Sequence, residues 1–226
     1  MTEINLLDHY PQSKRAIEER AKQITEEHRK IARKFDKEFF DGDRLSGYGG
    51  YSYHPRFWQE TVKRFKEYYH LDKNSEILDV GCAKGFMLHD FKQLLPELTI
   101  AGIDISQYAI DNAIEDMRPY IQVGDASELP FPDNSFDLII SINTIHNLPL
   151  KQCKKAFQEI ERVSRSHSFI TVDAWRNEIE KERMLKWNLT AQTYMHVDEW
   201  KLLFVGRTHR LASRWFQWTK NLCGSG

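Results

Sequence analysis

Ile77-Leu78-Asp79-Val80-Gly81-Cys82-Ala83-Lys84-Gly85-Phe86 is the stretch whose reading decides the fold. A short strand-like run ends on an acid, the chain turns through glycine, and a helical pattern begins. Such a turn exposes backbone N–H groups at a helix start and lets a ligand approach the main chain closely. Taken alone it is ambiguous, because glycine turns also serve purely structural ends in α/β folds. It also lacks the G-x-G-x-x-G spacing that a dinucleotide pyrophosphate requires.

The surrounding pattern removes most of that ambiguity. Strand-like runs fall at 77–80, 98–103, 120–123, 136–142 and 168–172, and helical segments at 85–95, 106–117 and 149–164 separate most of them. Strands alternating with helices at this spacing predict an α/β fold, a parallel sheet with helices on both faces. The second strand ends in Gly102-Ile103-Asp104-Ile105-Ser106, and the third in Gly124-Asp125-Ala126. Leu129-Pro130-Phe131 and Asn134-Ser135-Phe136-Asp137 follow. The acids Asp79, Asp104 and Asp125 thus fall at the carboxyl ends of neighbouring strands, where open α/β sheets bind ligands.

This series resembles the class I S-adenosylmethionine-dependent methyltransferases, in particular the small-molecule branch with an LPF-D-x-S-FD stretch. The resemblance covers roughly residues 75–175. It implies a Rossmann-like, doubly wound, mostly parallel sheet that binds S-adenosylmethionine and releases S-adenosylhomocysteine. By the same resemblance, Gly81, Cys82 and Gly85 line the methionine end of the cofactor. Asp104 holds the ribose, with Ile105 against the adenine. Asp125 accepts from the adenine amino group, and Ala126 meets the ring through its backbone. Asn143 stands where the family often touches the methionyl part, and Asp79 organises the turn. Ala83 departs from the pattern, standing where a glycine is usual.

Methyl transfer from a sulfonium is an in-line displacement with an uncharged leaving group, so positioning supplies most of the catalysis. A base is needed only if the nucleophile arrives protonated. The segment after the fourth strand, Ser141-Ile142-Asn143-Thr144-Ile145-His146-Asn147-Leu148, lacks both the Pro-Pro-aromatic pattern of base-amine methylation and the paired glutamates of arginine methylation. Its titratable residue is His146, a candidate catalytic base with an ordinary pKa near 6.5; the alternative is a histidine that packs or caps the turn. Past the fifth strand, Asp173, Trp175 and Arg176 are candidate substrate contacts, with pairing of Arg176 to Glu180 along a helix the competing reading. None of the nine histidines joins cysteines or acids at metal-ligand spacing, so no metal is expected.

The remainder of the chain is organised differently. Of 28 aromatic residues, 8 lie among the 103 residues from His70 to Val172, and 20 crowd the flanks. Residues 14–40 read as one charged helix with a narrow apolar stripe, Ile17, Ala21, Ile24, His28, Ile31, Phe35 and Phe39, capped at Ser13. This helix either lies on the domain or forms a dimer seam, so a monomer or a homodimer is expected. The 41–53 stretch, with four glycines and three tyrosines, reads as a loop. It suits a lid carrying Tyr51 or Tyr53 into the acceptor pocket, or else a plain connector. Pro55 opens a helix to about residue 69. The expected division is a helical lid or extension at 1–70 and a cofactor-binding domain at 71–226, compact as a whole. Residues 177–189 read as a helix, and 199–218 as a short helix with a possible antiparallel edge strand.

Thirty-three acids against 32 basic residues exclude a polyanion binder that works by bulk charge. Cys82, Cys153 and Cys223 form neither a disulfide framework nor a zinc knuckle, which suggests a reducing, cytoplasmic setting. No apolar run is long enough to cross a bilayer, so no membrane partner is expected. The expected partner is a small molecule whose O, N or C atom receives the methyl group. Nucleic acid is disfavoured, although Lys201, Arg207, Arg210, Arg214 and Lys220, with no acid after Glu199, leave room for an RNA substrate. The other alternative is a protein that binds the cofactor without transferring its methyl group.

Overall fold

The computed structural model describes residues 2–11, 17–205 and 214–218. In chain order the N-terminal part holds β1 (Thr2–Glu3), α1 (Ile17–Gln23), α2 (Glu26–Ala32), α3 (Lys37–Phe40) and α4 (Gln59–Tyr69). There follow β2 (Glu76–Val80), α5 (Phe86–Leu94), β3 (Thr99–Asp104), α6 (Gln107–Asp111), β4 (Ile121–Val123), β5 (Phe136–Ile142), α7 (Leu150–Val163) and β6 (Ser164–Val172). The chain closes with β7 (Ala174–Trp175), α8 (Glu178–Trp187), β8 (Met195–His196), α9 (Val197–Val205) and β9 (Arg214–Trp218). Short 3₁₀ turns lie at Pro55–Phe57, Glu115–Tyr120 and Ile145–Asn147.

Seven strands pair in the order β1-β9-β6-β5-β2-β3-β4, and every pair is parallel. After β2 the chain steps outward to β3 and β4. It then returns to the other side of β2 as β5. The strand order therefore reverses beside β2, and a crevice opens over the strand ends there. Strand alternation divides the core between two faces. Ile77, Leu138 and Phe169 pack on Val62, Phe65 and Phe91. Leu78, Ile139 and Ile170 pack on Ile160, Trp200 and Phe204. Leu6 and Leu7 join the first of these cores, so the N-terminal segment shares the sheet's interior.

Three expectations are corrected. The helix read across 14–40 is broken into α1, α2 and α3. Thr25 accepts from the His28 N–H while the His28 ring accepts from the Thr25 N–H, which starts a new helix. Asp36 caps the next one after Phe35 enters the left-handed region. Both residues offer the backbone a local partner that competes with continuing the helix; Ser13 lies outside the described residues. The helix expected at 106–117 ends at Asp111, where the Ile114 N–H turns to the Lys84 carbonyl. The last strand is not an antiparallel edge: β9 runs parallel between β6 and β1. Its connection from β6 passes through α8 and α9, and such a crossover returns a chain in parallel.

The N-terminal layer is fastened to the glycine turn by one buried cation. Lys84 Nζ donates to Asp41 Oδ2 at 2.6 Å and to the Tyr51 carbonyl at 2.8 Å. The Tyr51 N–H and the Tyr108 hydroxyl both donate to the same carboxylate, each at 2.8 Å. Burial alone would raise the Asp41 carboxyl; Lys84 and these donors outweigh it and hold the group below its ordinary value. A second clasp joins the layer to the end of α8, through Lys186 to Glu18 at 3.0 Å and Arg29 to the Asn188 carbonyl. Lys84→Met keeps the packed stem and removes the charge. It is expected to cost about 2 kcal/mol, to lower Tm by about 4–8 °C and to open the 41–51 segment to proteolysis. An unchanged melting curve and cleavage pattern would show that this pair does not hold the layer.

Candidate active site

A cavity of about 550 Å³ lies over the carboxyl ends of β2 to β6. Its floor includes Gly81, Asp104, Ile105, Asp125 and Ala126, and Asn143, His146 and Asp173 continue it across β5 and β6. Residues 20–48 form one wall and residues 187–192 the other.

The floor is built by the strand ends. Asp104 Oδ2 accepts the Ala83 N–H at 2.8 Å and Oδ1 accepts the Ser106 N–H at 2.9 Å, which fixes the carboxylate and leaves lone pairs on each oxygen. Burial pushes its pKa up, and those two N–H groups oppose the shift. Asp125 Oδ1 accepts the Ser127 N–H at 2.7 Å. Ile105 presents an apolar surface that is 56% exposed. Asp79, expected among the cofactor-binding residues, is buried beneath the turn and is not part of the cavity lining, and among the described residues its carboxyl accepts no hydrogen bond. Burial and the Asp104 charge push its pKa up to about 7. Gly81 has φ +90°, and a Cβ there would lie 2.0 Å from Thr144 Oγ1, so glycine is what lets the β2 turn close on the end of β5. Ala83 takes the left-handed conformation at φ +48° that a glycine would adopt freely, at a cost of roughly 1 kcal/mol. Cys82 and Gly85 sit behind the turn rather than on the cavity surface: the Cys82 thiol is buried and pushed up by that burial, and Gly85 caps α5 at φ +80°. Asn143, at φ +55°, accepts the Thr171 hydroxyl on Oδ1 at 3.0 Å.

His146 sits differently from a free base. It is 3% exposed, and burial lowers its pKa against the opposing charge of Asp173, so it is neutral at neutral pH. Its Nδ1 accepts the Asp173 N–H at 3.2 Å, which places the ring proton on Nε2, 3.5 Å from Asp173 Oδ2. In that tautomer the ring presents a donor where a base needs a lone pair. Asp173 also accepts from the Asn188 amide, and its carbonyl accepts the buried Trp200 indole N–H at 3.1 Å.

Four expected substrate contacts lie outside the cavity lining. Tyr51 stacks on Phe86 with ring centroids 5.0 Å apart, and burial pushes its hydroxyl far up. The Tyr53 hydroxyl donates to Asp90 at 2.6 Å; burial and that carboxylate push it up to about 12. The Trp175 ring lies beneath Lys181 Nζ at 5.4 Å, and the Arg176 N–H donates to Glu180 at the start of α8. The aromatic wall is instead Phe35, Phe39 and Tyr48, with Trp187 opposite. The cations Arg20, Arg33, Lys34 and Arg44 also line the cavity, and the sequence reading singled out none of them. Phe35 and Phe39 were visible as the apolar stripe of 14–40. Their direction was not, because the break at Phe35 re-aims it. Among the described residues no group of three or more His, Cys, Asp or Glu is placed to hold a metal, and no helix is long and apolar enough to cross a membrane.

Residues 78–172, from β2 to β6, match the family described as a methyltransferase domain. The β2–β6 segment is thus similar to a methyltransferase domain. Among similar proteins, a tRNA (carboxymethyluridine(34)-5-O)-methyltransferase from Arabidopsis thaliana is 34% identical over 132 residues, covering 58% of this chain and 31% of its own. A demethylmenaquinone methyltransferase from Symbiobacterium thermophilum is 26% identical over 164 residues, 66% of this chain and 62% of its own. The chain thus spans less than two thirds of the length of either relative. The solved structure of YcgJ from Bacillus subtilis shares the fold, with a TM-score of 0.53 and 20% identity over 64% of this chain and 66% of its own.

Proposed function

We propose that this protein transfers a methyl group from S-adenosylmethionine to an O, N or C nucleophile of a small acceptor. One observation carries the reading: a single cavity holds Asp104 and Asp125 of the strand ends on its floor and is walled on the opposite side by the aromatic N-terminal layer. The floor suits a cationic nucleoside. Asp79 is a buried carboxyl without a hydrogen-bond partner among the described residues, beside the equally buried Asp104, and two such groups call for a positive ligand. The fixed Asp104 carboxylate has lone pairs left for two ribose hydroxyls, Ile105 offers a flat apolar contact, and Asp125 supplies a further acceptor.

Bound in this cradle, S-adenosylmethionine supplies an activated methyl group whose sulfur leaves as a neutral thioether. The protein's part is to align the acceptor. Gly81, Asn143 and Ala83 bring backbone against the methionyl end, while the residues of 20–48 and 187–192 close the site and exclude water. When the nucleophile arrives protonated, Asp173 takes the proton; His146 holds that carboxylate through its Nε2–H and its bond to the Asp173 backbone. This places the base one residue-contact away from the histidine that the sequence singled out.

The similarity to a tRNA methyltransferase supports a second reading, an RNA acceptor, and the cationic wall is compatible with it. RNA binding whose affinity falls steeply with salt would favour it. The main reading is tested by Asp104→Ala. S-Adenosylmethionine affinity should fall at least ~100-fold with two charged hydrogen bonds lost, with the melting curve retained. Near-normal cofactor binding by that variant would remove the cofactor assignment. Asp173→Asn should lower turnover by about 10²–10⁴ with cofactor affinity kept, the range for a general base. Unchanged turnover would return the proton to solvent.

A further inference from the structure

The charges lining the cavity are sorted by end. Asp104, Asp125 and Asp173 stand at the strand ends, whereas Arg20, Arg33, Lys34 and Arg44 all come from the N-terminal layer. The sorting is not in the sequence: between residues 33 and 44 that layer also carries Asp36, Glu38, Asp41 and Asp43, and none of the four lines the cavity. Asp36 caps α3, Asp41 takes Lys84, and Asp43 accepts the Leu45 N–H. Three of the four acids are turned to structural uses, and the cations Arg33, Lys34 and Arg44 line the cavity.

Two of these cations have internal work. Arg20 donates to the Arg44 carbonyl at 2.9 Å and lies 4.3 Å over the Trp187 ring, and Arg44 donates to the Tyr48 carbonyl at 3.1 Å. Arg33 and Lys34 differ. Among the described residues neither side chain forms an ion pair or a hydrogen bond, yet they adjoin each other beside Phe35 and line the same cavity. Both are exposed side chains at the cavity's rim, next to each other in the chain, so an anion there meets two cations at once. The carboxylate of the cofactor's methionyl end is the competing anion, and the affinity of an Arg33→Ala/Lys34→Ala variant for S-adenosylmethionine tells it from an anionic acceptor.

We infer that the methyl acceptor is a small anionic molecule, bearing a carboxylate or phosphate that Arg33 and Lys34 engage, with its apolar part against Phe35, Phe39 and Tyr48. This inference rests on the methyl-transfer reading above. The sorted charge sets the acceptor's sign.

The test uses the full chain and tritiated-methyl S-adenosylmethionine. A metabolite extract is passed through a small-molecule filter and split by ion exchange into anionic, neutral and cationic fractions before the reaction. Label should be accepted by the anionic fraction alone. Loss of that acceptor after phosphatase treatment identifies a phosphate, and its survival a carboxylate. At limiting extract, Arg33→Ala/Lys34→Ala should incorporate at least ~10-fold less label, recover at high extract, and bind S-adenosylmethionine within about twofold of wild type. Arg33→Lys should restore part of the loss. Label accepted only from the neutral or cationic fraction, or a double variant as active as wild type at limiting extract, overturns the inference while leaving methyl transfer intact. Label found only in filter-retained material that ribonuclease destroys overturns it in favour of RNA. Cofactor binding with no label in any fraction defeats the methyl-transfer reading, and the inference with it.

Discussion

Two buried carboxyls at the ends of adjacent parallel strands set the chemistry of this molecule. Asp79 ends the run of β2 and Asp104 closes β3, and the register that pairs Asp79 with Gly102 and Val80 with Ile103 brings the two acids to the same end of the sheet. Burial raises both pKa values, and the charge of Asp104 raises Asp79 further. A fold that keeps two such groups together bears a standing electrostatic cost, which a cationic ligand offsets. The remaining features of the floor, Gly81 closing on Thr144 and the N–H groups of Ala83 and Ser106 on Asp104, hold that pair in place.

The N-terminal layer is coupled to this floor through the turn itself. Lys84 belongs to the cofactor turn by sequence, yet its charge serves Asp41 and Tyr51 of the layer. Lys84 thereby ties the wall to the floor through one ion pair. The layer's second contact, onto the end of α8 through Glu18, Arg29 and Arg20, brings Trp187 and Asn188 to the cavity. Asn188 in turn bonds Asp173, so the wall reaches the candidate base as well.

The sheet was legible in the sequence because its signal is local and repeated. Glycine turns after buried runs fix both strand ends and the residues at them, and eight of the expected site residues line one cavity. The walls were not legible, for physical reasons that differ by residue. Tyr51 and Tyr53 look like pocket residues in a glycine-rich loop, but Phe86 and Asp90 offer them buried partners behind the turn. Arg33 and Lys34 look like any solvated pair on a charged helix, and only the left-handed turn at Phe35 brings them to the cavity. His146 was visible by residue type, whereas its tautomer depends on a contact with the Asp173 backbone that no local pattern encodes.

The central claim is that a cation settles the Asp79–Asp104 pair. Calorimetric titration with S-adenosylmethionine at pH 6, in two buffers of different ionisation enthalpy, tests it directly. Burial and the Asp104 charge push the Asp79 carboxyl up to about 7, so on this account it holds a proton at pH 6 that a cationic ligand expels. The account predicts release of close to one proton by wild type, apparent affinity that tightens as pH rises toward 7, and no such release by Asp79→Asn. Equal heats in both buffers, or proton uptake on binding, would contradict it.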